Sequence, residues 1–226
     1  EKASVENGKL VIKESMLEKG SNIRSEGSQI KKGDIILKKG QVINPGVIGL
    51  LASLGITKIF VASSPRITLI VTGNELVSPG SLLTPGQVYE SNSYCIQAAL
   101  EYINCKSVNI VSVSDDEMQT IEKLRVAIEK SDIVLVTGGI SVGKYDFVSN
   151  ALFQLGVHNI FYKIAQKPGK PLFFGKLNKC LIFGLPGNPA AALTCFYEYV
   201  LTVIKIMQGR SDIFLQKKMM PISENT

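Results

Sequence analysis

Hydrophobic residues are grouped in two different ways along this chain, and the change comes near residue 65. From there on, short continuous apolar runs alternate with longer segments whose apolar residues recur every three or four positions. Uninterrupted β-branched runs are typical of strands that are buried on both faces of a parallel sheet. The runs predicted to be strands cover residues 67–72, 108–113, 133–136 and 181–183.

The segments with three- and four-residue spacing predict helices. In the second of them, Met118, Ile121, Leu124 and Ile128 are predicted to share one buried face. Alternation of strands and helices predicts an α/β fold, a three-layer, doubly wound and mostly parallel sheet, over residues 65–212. The predicted helices cover residues 92–103, 116–129, 146–155 and 189–207.

Residues 1–64 predict a small, mixed β/α module that precedes this sheet, and residues 213–226 the start of a C-terminal element. A helix is predicted after Asn44-Pro45, because asparagine is a favoured N-cap and proline a favoured first helical residue. Gly55 is expected to end it. The short strands predicted in this module cover residues 9–13, 34–37 and 57–62.

The net charge is +6, with ten Lys or Arg residues against six Asp or Glu residues in positions 1–64. No basic run is interleaved with aromatic residues, so this excess predicts a solvated surface and no nucleic-acid partner. The sequence predicts no membrane span and a cytoplasmic location, because it has neither a long uninterrupted apolar run nor a signal-peptide pattern at its start. Since it begins at Glu1 rather than methionine, we expect a piece of a longer protein.

The cysteines predict free thiols in a reducing compartment. None of the four forms a CxxC pair, and the one histidine, His158, cannot complete a zinc site or a convincing Cys–His catalytic pair.

Polar residues and glycines follow each predicted strand of the main sheet. In open α/β sheets, ligands bind outside the carboxyl ends of the strands, and glycine turns expose backbone N–H groups to anions. The sequence therefore predicts an anion site at this edge, although each acid alone could simply cap a helix or form a turn. The residues in question are Glu75, Asp115, Gly138, Gly139, Asp146, Gly187 and Asn188.

Lys163, Lys167 and Lys170 are predicted to lie near the same edge. Lysines neutralise oxyanions, and carboxylates bind Mg²⁺, which often bridges to phosphates. The combination predicts metal-assisted chemistry on a phosphate-bearing ligand. The lysines could equally be solvated loop residues, and neither a Walker A motif nor a GxGxxG motif is present.

Six tracts of the chain, in this order, resemble the molybdopterin molybdenumtransferases of the MoeA type, a family that includes the C-terminal domain of gephyrin. The resemblance covers nearly the whole chain. The tracts are residues 72–76 (TGNEL), 86–92 (GQVYESN), 115–116 (DD), 138–146 (GGISVGKYD), 167–171 (KPGKP) and 184–189 (GLPGNP).

This resemblance implies molybdenum cofactor biosynthesis, in which molybdate is inserted into adenylated molybdopterin and AMP is released. It also implies Mg²⁺ as cofactor, a homodimer, and a chain that holds part of the family's second domain and its third, molybdopterin-binding domain. Two alternatives remain open. One is a molybdopterin adenylyltransferase, which uses the same domain, and the other is a non-catalytic molybdopterin-binding or scaffold protein.

By position, the resemblance implies that Glu75, Asp115 and Asp146 are the functional acids and candidate Mg²⁺ ligands. Two departures from the family are visible: Asn74 stands where an aspartate is common, and Ser28-Gln29 where acids are common. The positions implied in substrate binding are Gly138, Gly139, Ser141, Lys163, Lys167, Lys170, Pro171, Gly187 and Asn188.

Overall fold

The computed structural model describes residues 3–13, 19–21, 23–139 and 147–218. The chain divides into two compact units, Glu1–Lys38 and Lys39–Thr226. The domain boundary predicted between residues 64 and 65 stays a prediction.

The first unit contains a hairpin of β1 (Ala3–Glu6) and β2 (Lys9–Ile12). Asn7 and Gly8 connect the strands with positive φ angles of 52° and 72°. Two positive φ angles are the signature of a type I′ turn, which Asn-Gly favours. The strand predicted at residues 9–13 is therefore confirmed, whereas residues 34–37 are not in a strand, so that prediction was wrong.

The second unit begins with helix α1 (Pro45–Ser53), which confirms the predicted helix. The Asn44 side chain accepts a hydrogen bond from Val47 N–H at 3.0 Å, as an N-cap does. The strand predicted at residues 57–62 was wrong, because these apolar residues make no strand hydrogen bonds within the described part of the chain. The side chain of Phe60 is fully exposed.

A six-stranded sheet forms the centre of this unit and confirms the predicted fold class. Its order is β6-β3-β7-β10-β9-β8, in which β6, β3, β7 and β10 run parallel, β9 is antiparallel to β10, and β8 is antiparallel to β9. The strands are β3 (Ile67–Thr72), β6 (Val108–Val113), β7 (Ile133–Thr137), β8 (His158–Tyr162), β9 (Phe173–Leu177) and β10 (Cys180–Leu185). A separate two-stranded sheet pairs β4 (Leu76–Val77) with β5 (Val88–Tyr89).

Helices cover both faces of the sheet. On one face lie α2 (Asn92–Tyr102) and a continuous helix that consists of α5 (Pro189–Cys195), a π-helical segment (Phe196–Val200) and α6 (Leu201–Met207). On the other lie α3 (Glu117–Lys130) and α4 (Phe147–Gln154). Each predicted helix of this region is confirmed, with ends that shift by one residue or not at all.

Two details of the helices differ from simple readings of the sequence. Met118 is 76% exposed, so its predicted place on the buried face of α3 was wrong, and Thr120 is buried instead. Among the described residues, Pro189–Met207 is the helix long and apolar enough to cross a bilayer. Phe196, Val200 and Ile204 of this helix are fully buried and belong to the hydrophobic core on one face of the sheet. The apolar residues of the helix therefore pack against the sheet, as in a core helix of a globular domain.

An ion pair ties the amino ends of β3 and β7 together. The Arg66 guanidinium donates to Asp132 at 3.0 and 3.2 Å, and Arg66 N–H donates to the same carboxylate at 2.8 Å. These hydrogen bonds hold the pKa of the Asp132 carboxyl below its ordinary value. A lowered folded-state pKa stabilises the fold above the unfolded pKa, near ~3.9, and that stability is lost as the pH falls through the folded pKa.

We therefore expect Asp132→Asn to lower the free energy of unfolding at pH 7, and the gap to the wild type to close as the pH falls below ~3.9. Urea unfolding at a series of pH values measures this. Glu122→Gln is the control, because Glu122 pairs with Arg125 at 3.6 Å between side chains more than half exposed and should contribute little. A gap that persists unchanged into acid would contradict the assignment.

The four cysteines are free, as predicted. Cys105, Cys180 and Cys195 are buried. Burial raises the pKa of the Cys180 thiol to about 12 and that of Cys195 to about 11. These thiols are therefore protonated near neutral pH and act as small core residues.

Candidate functional site

The carboxyl ends of the four parallel strands are level with one another. In the registers of the ladders, Thr72 pairs with Val113, Val71 with Thr137, and Thr137 with Leu185. The carboxyl end of β8 and the amino end of β9 are at the same edge. Gly184 pairs with Phe173, and Phe173 with Tyr162, so the connection 163–172 begins and ends there. Every strand end predicted to carry site residues therefore meets at one edge of the sheet.

A cleft of about 130 Å³ opens at the ends of β3, β6 and β7. Glu75, Asp115 and Gly139, three of the predicted site residues, line it together. The other lining residues were not predicted as site residues, and they are Thr72, Gly73, Thr120, Phe147 and Val148. Glu75 and Asp115 are exposed, so their carboxylates are open to a ligand.

Asp115 is held by a reciprocal pair of hydrogen bonds. Asn74 N–H donates to Asp115 Oδ2 at 3.1 Å, and Asp115 N–H donates to Asn74 Oδ1 at 3.0 Å. Asparagine at position 74 supplies the acceptor that the pair needs, without placing a second negative charge beside Asp115. The departure from the family pattern at this position is therefore compatible with an ordered Asp115.

Gly138 and Gly139 follow β7 and approach β3 closely. Their φ angles are +85° and +64°. A Cβ atom on Gly138 would lie 2.2 Å from the Thr72 carbonyl oxygen, and one on Gly139 would lie 2.8 Å from Thr72 Oγ1. Only glycine fits this turn, which exposes backbone at the floor of the cleft.

Two buried hydroxyl groups at the carboxyl ends of β3 and β7 lack partners within the described ranges, and of these two the Thr72 hydroxyl lines the cleft. Thr72 is 3% and Thr137 1% exposed, and neither Oγ1 atom has a hydrogen-bond partner among the residues that the structure describes. Buried polar groups in native proteins are normally paired, and an unpaired one calls for an explanation such as a bound ligand. The signal in the sequence was the repeated Thr-Gly at the ends of two strands, Thr72-Gly73 and Thr137-Gly138.

Asp146 and Ser141, both predicted site residues, lie outside the described residues. No group of three or more potential ligands gathers within the described ranges. Two carboxylates in one cleft nevertheless fit Mg²⁺, which is often bound by one or two carboxylates together with substrate phosphates and water.

The three predicted lysines lie at the same edge but do not line the cleft. Lys163, Lys167 and Lys170 are exposed on the connection between β8 and β9. Adjacent strands are about 4.8 Å apart, and the two ends of this connection are two to four strand spacings from β7 and β3, which is roughly 10–20 Å. The structure thus separates an acidic part of the edge from a basic part, with β10 between them.

Gly187 and Asn188 follow β10 and lie between those parts. The Asn188 side chain accepts a hydrogen bond from Ala191 N–H at 3.1 Å, and so caps α5. The Gly187 carbonyl accepts one from Asn92 Nδ2 at 2.9 Å, while Asn92 Oδ1 is buried without a partner in the described residues. Pro171 is half-buried in the neighbouring connection. The structure therefore assigns Asn188 a capping role, and its substrate contact stays a prediction.

Comparison with known proteins agrees with this architecture. Residues 68–206 match the model of the probable molybdopterin binding domain, and residues 1–55 match the MoeA N-terminal region, domains I and II. The molybdopterin molybdenumtransferase of Haemophilus influenzae is 39% identical over 191 residues, which are 84% of this chain and 47% of that protein. The molybdopterin molybdenumtransferase 2 of Mycobacterium tuberculosis is 36% identical, over 85% of this chain and 49% of that protein.

Among solved structures, a molybdopterin biosynthesis MoeA protein from Pyrococcus horikoshii superimposes with a TM-score of 0.71 at 30% identity, over 92% of this chain and 52% of that one. The chain thus spans about half the length of the relatives it matches. The family model covers most of the described sheet, and the relatives and the superimposed structure are of the same type. Together they confirm the resemblance seen in the motifs. The chain belongs to the molybdopterin-binding domain family and, within it, to the MoeA-type molybdopterin molybdenumtransferases.

Proposed function

We propose that the full-length protein inserts molybdate into adenylated molybdopterin and releases AMP. The observation that carries this proposal is the cleft at the carboxyl edge, where a glycine turn, the buried Thr72 hydroxyl, which has no partner among the described residues, and two carboxylates meet. The N–H and hydroxyl groups can donate hydrogen bonds to an anionic ligand, and the carboxylates can bind the Mg²⁺ that accompanies it. Supporting it, the relatives of similar sequence are named molybdopterin molybdenumtransferases.

The chain's own residues divide the work along the edge. Backbone N–H groups at Gly138 and Gly139, with Ser141, bind phosphate oxygens of the substrate, and Thr72 donates its buried hydroxyl. Lys163, Lys167 and Lys170 attract molybdate, a dianion, from the far side, and this attraction weakens with salt. The roughly 10–20 Å between the two parts suits an extended substrate whose adenylate and pterin ends are bound separately.

The acids act on the phosphoanhydride. Glu75, Asp115 and Asp146 would hold Mg²⁺, which when bound neutralises charge on the phosphates. One exposed carboxylate accepts a proton from the attacking water, because general bases must reach the proton they remove. Asp115, fixed by Asn74, is suited to orienting that water or the ion.

The test is molybdate-dependent release of AMP by the full-length protein supplied with adenylated molybdopterin and Mg²⁺. We expect AMP to appear only when molybdate is present. A parallel reaction with ATP and molybdopterin separates the adenylyltransferase, which would form adenylated molybdopterin instead. Binding of molybdopterin without either reaction would leave the non-catalytic alternative.

A cytoplasmic homodimer is the proposed state of the full-length protein, on the strength of the family resemblance. The exposed apolar side chains of Ile48, Phe60 and Val61 in and after α1 offer surface for such an association. Sedimentation analysis of the full-length protein tests it, and a single species of monomer mass at micromolar concentration would contradict it.

A further inference from the structure

The connection 163–172, hereafter the lysine loop, has a backbone that closes on itself. Lys163 N–H donates to the Leu172 carbonyl and Ile164 N–H to the Lys170 carbonyl, both at 2.9 Å. The three exposed lysines of this loop have long side chains with many rotamers. The positions of the three ammonium groups therefore depend on how firmly the backbone of the loop is fixed.

Gln166 joins this loop to the long helix on the sheet. Its Nε2 donates to the Pro168 carbonyl at 2.8 Å, and its Oε1 accepts a hydrogen bond from the Tyr199 hydroxyl at 2.7 Å. Tyr199 lies in the π-helical segment between the fully buried residues Phe196 and Val200. The loop is thus bonded, through one side chain, to a rigid part of the core.

A second contact lies beside the first. The Cys195 thiol donates to the Gly169 carbonyl, with Sγ and O 3.7 Å apart. Burial raises the pKa of this thiol to about 11, so it keeps its proton near neutral pH. A Cβ on Gly169, whose φ is +111°, would lie 2.6 Å from Gln166 Nε2 and 2.7 Å from Cys195 Sγ. The loop and the helix are therefore packed as closely as glycine allows.

Cys195 and Tyr199 both contact the loop, and the helix changes from α to π between them. A single π-helical turn inside an α-helix is uncommon and occurs frequently at functional sites. Here the irregular turn coincides with the one place where the long helix bonds to the lysine loop in the described part of the chain. The π-helical turn therefore includes or adjoins the two residues, Cys195 and Tyr199, that attach the helix to the lysine loop.

We propose that Gln166 and Tyr199 are positioning residues that clamp the lysine loop in the conformation that binds the oxyanion substrate. This proposal rests on the proposed function and adds to it a way of fixing the basic part of the site. Neither residue touches substrate; they act through the backbone that carries Lys163, Lys167 and Lys170.

The clamp is tested first by Tyr199→Phe in the full-length protein, because phenylalanine keeps the ring and removes the hydroxyl. We expect the apparent KM for molybdate in AMP release to rise about two- to tenfold, the effect of one neutral hydrogen bond, and kcat to change by less than about twofold. Tyr197→Phe is the matched control on the same segment, since the Tyr197 side chain packs on Phe196 and makes no hydrogen bond to the loop within the described residues. An unchanged KM for Tyr199→Phe, or an equal rise for Tyr197→Phe, would overturn the proposal.

Combining Tyr199→Phe with Gln166→Ala separates a clamp from two independent effects. If the two residues act through their shared hydrogen bond, the double variant should have the same KM as Gln166→Ala alone, because the bond is already lost. Effects that multiply would contradict the shared role.

Hydrogen exchange keeps this proposal distinct from the proposed function. In Tyr199→Phe, the amides of Lys163 and Ile164 should exchange several-fold faster than in the wild type, and in Tyr197→Phe at the wild-type rate. If the wild type releases no AMP, the proposed function is wrong, but the exchange rates still test whether Tyr199 fixes the lysine loop. Unchanged exchange at both amides in Tyr199→Phe would overturn it.

Discussion

Gly138→Ala is expected to cost about 2–5 kcal/mol of the free energy of unfolding, the sum of a strained left-handed alanine and a clash that nothing flexible can relieve. The added methyl would meet the Thr72 carbonyl oxygen at 2.2 Å, and this oxygen belongs to the backbone of central strand β3. Relief requires β3 and β7 to move apart, which also destroys the floor of the cleft. Denaturant unfolding measures the cost.

Gly156→Ala is the matched control for this change. Gly156 has a φ of +77°, close to the +85° of Gly138, but an added Cβ would have no neighbour within 4 Å. It should lose only about 1–2 kcal/mol, from the left-handed conformation alone. Equal losses for the two variants would mean that the close approach of Gly138 to β3 does not constrain the turn.

Asp115→Asn is expected to lower molybdate-dependent AMP release by the full-length protein about 100-fold or more, the range found when a proton-transfer group is removed. Asparagine retains an oxygen that can accept the hydrogen bond from Asn74 N–H, so the backbone arrangement is kept. What disappears is the negative charge that would bind Mg²⁺ or take a proton.

The neighbouring acid provides the control for Asp115. The Asp116 side chain accepts from Gln119 N–H at 2.8 Å and caps α3, and asparagine caps as well as aspartate does. Asp116→Asn should therefore change the rate by no more than about twofold. If the two variants had the same activity, the charge of Asp115 would have no part in the reaction.

The parallel core could be predicted from the sequence because burial on both faces forces a simple pattern. Ile67–Thr72 is buried at every position, and its bounds were predicted correctly. Strands β8 and β9 were missed, because β8 has no buried residue and β9 mixes buried with exposed residues and includes Gly175 and Lys176. Conversely, residues 34–37 and 57–62 have strand-like composition without strand partners, and composition alone cannot supply a partner.

The site was predictable to the extent that topology determines it. Parallel strands place their carboxyl ends at one edge, so the convergence of Glu75, Asp115 and Gly139 followed from the order of strands and turns. The unpartnered hydroxyls of Thr72 and Thr137 depend on burial by side chains remote in sequence, and the Gln166–Tyr199 bond spans 33 positions. No local pattern marks such contacts.

The proposed function requires that the cleft at the ends of β3, β6 and β7 binds the substrate. A crystal structure of the full-length protein with adenylated molybdopterin would locate the bound substrate. We expect phosphate oxygens within hydrogen-bond distance of the Gly138 and Gly139 amides and of the Thr72 hydroxyl, with Glu75 and Asp115 alongside. Substrate bound at any other place, with no contact to the Thr72 hydroxyl, would show that the cleft is not the substrate site.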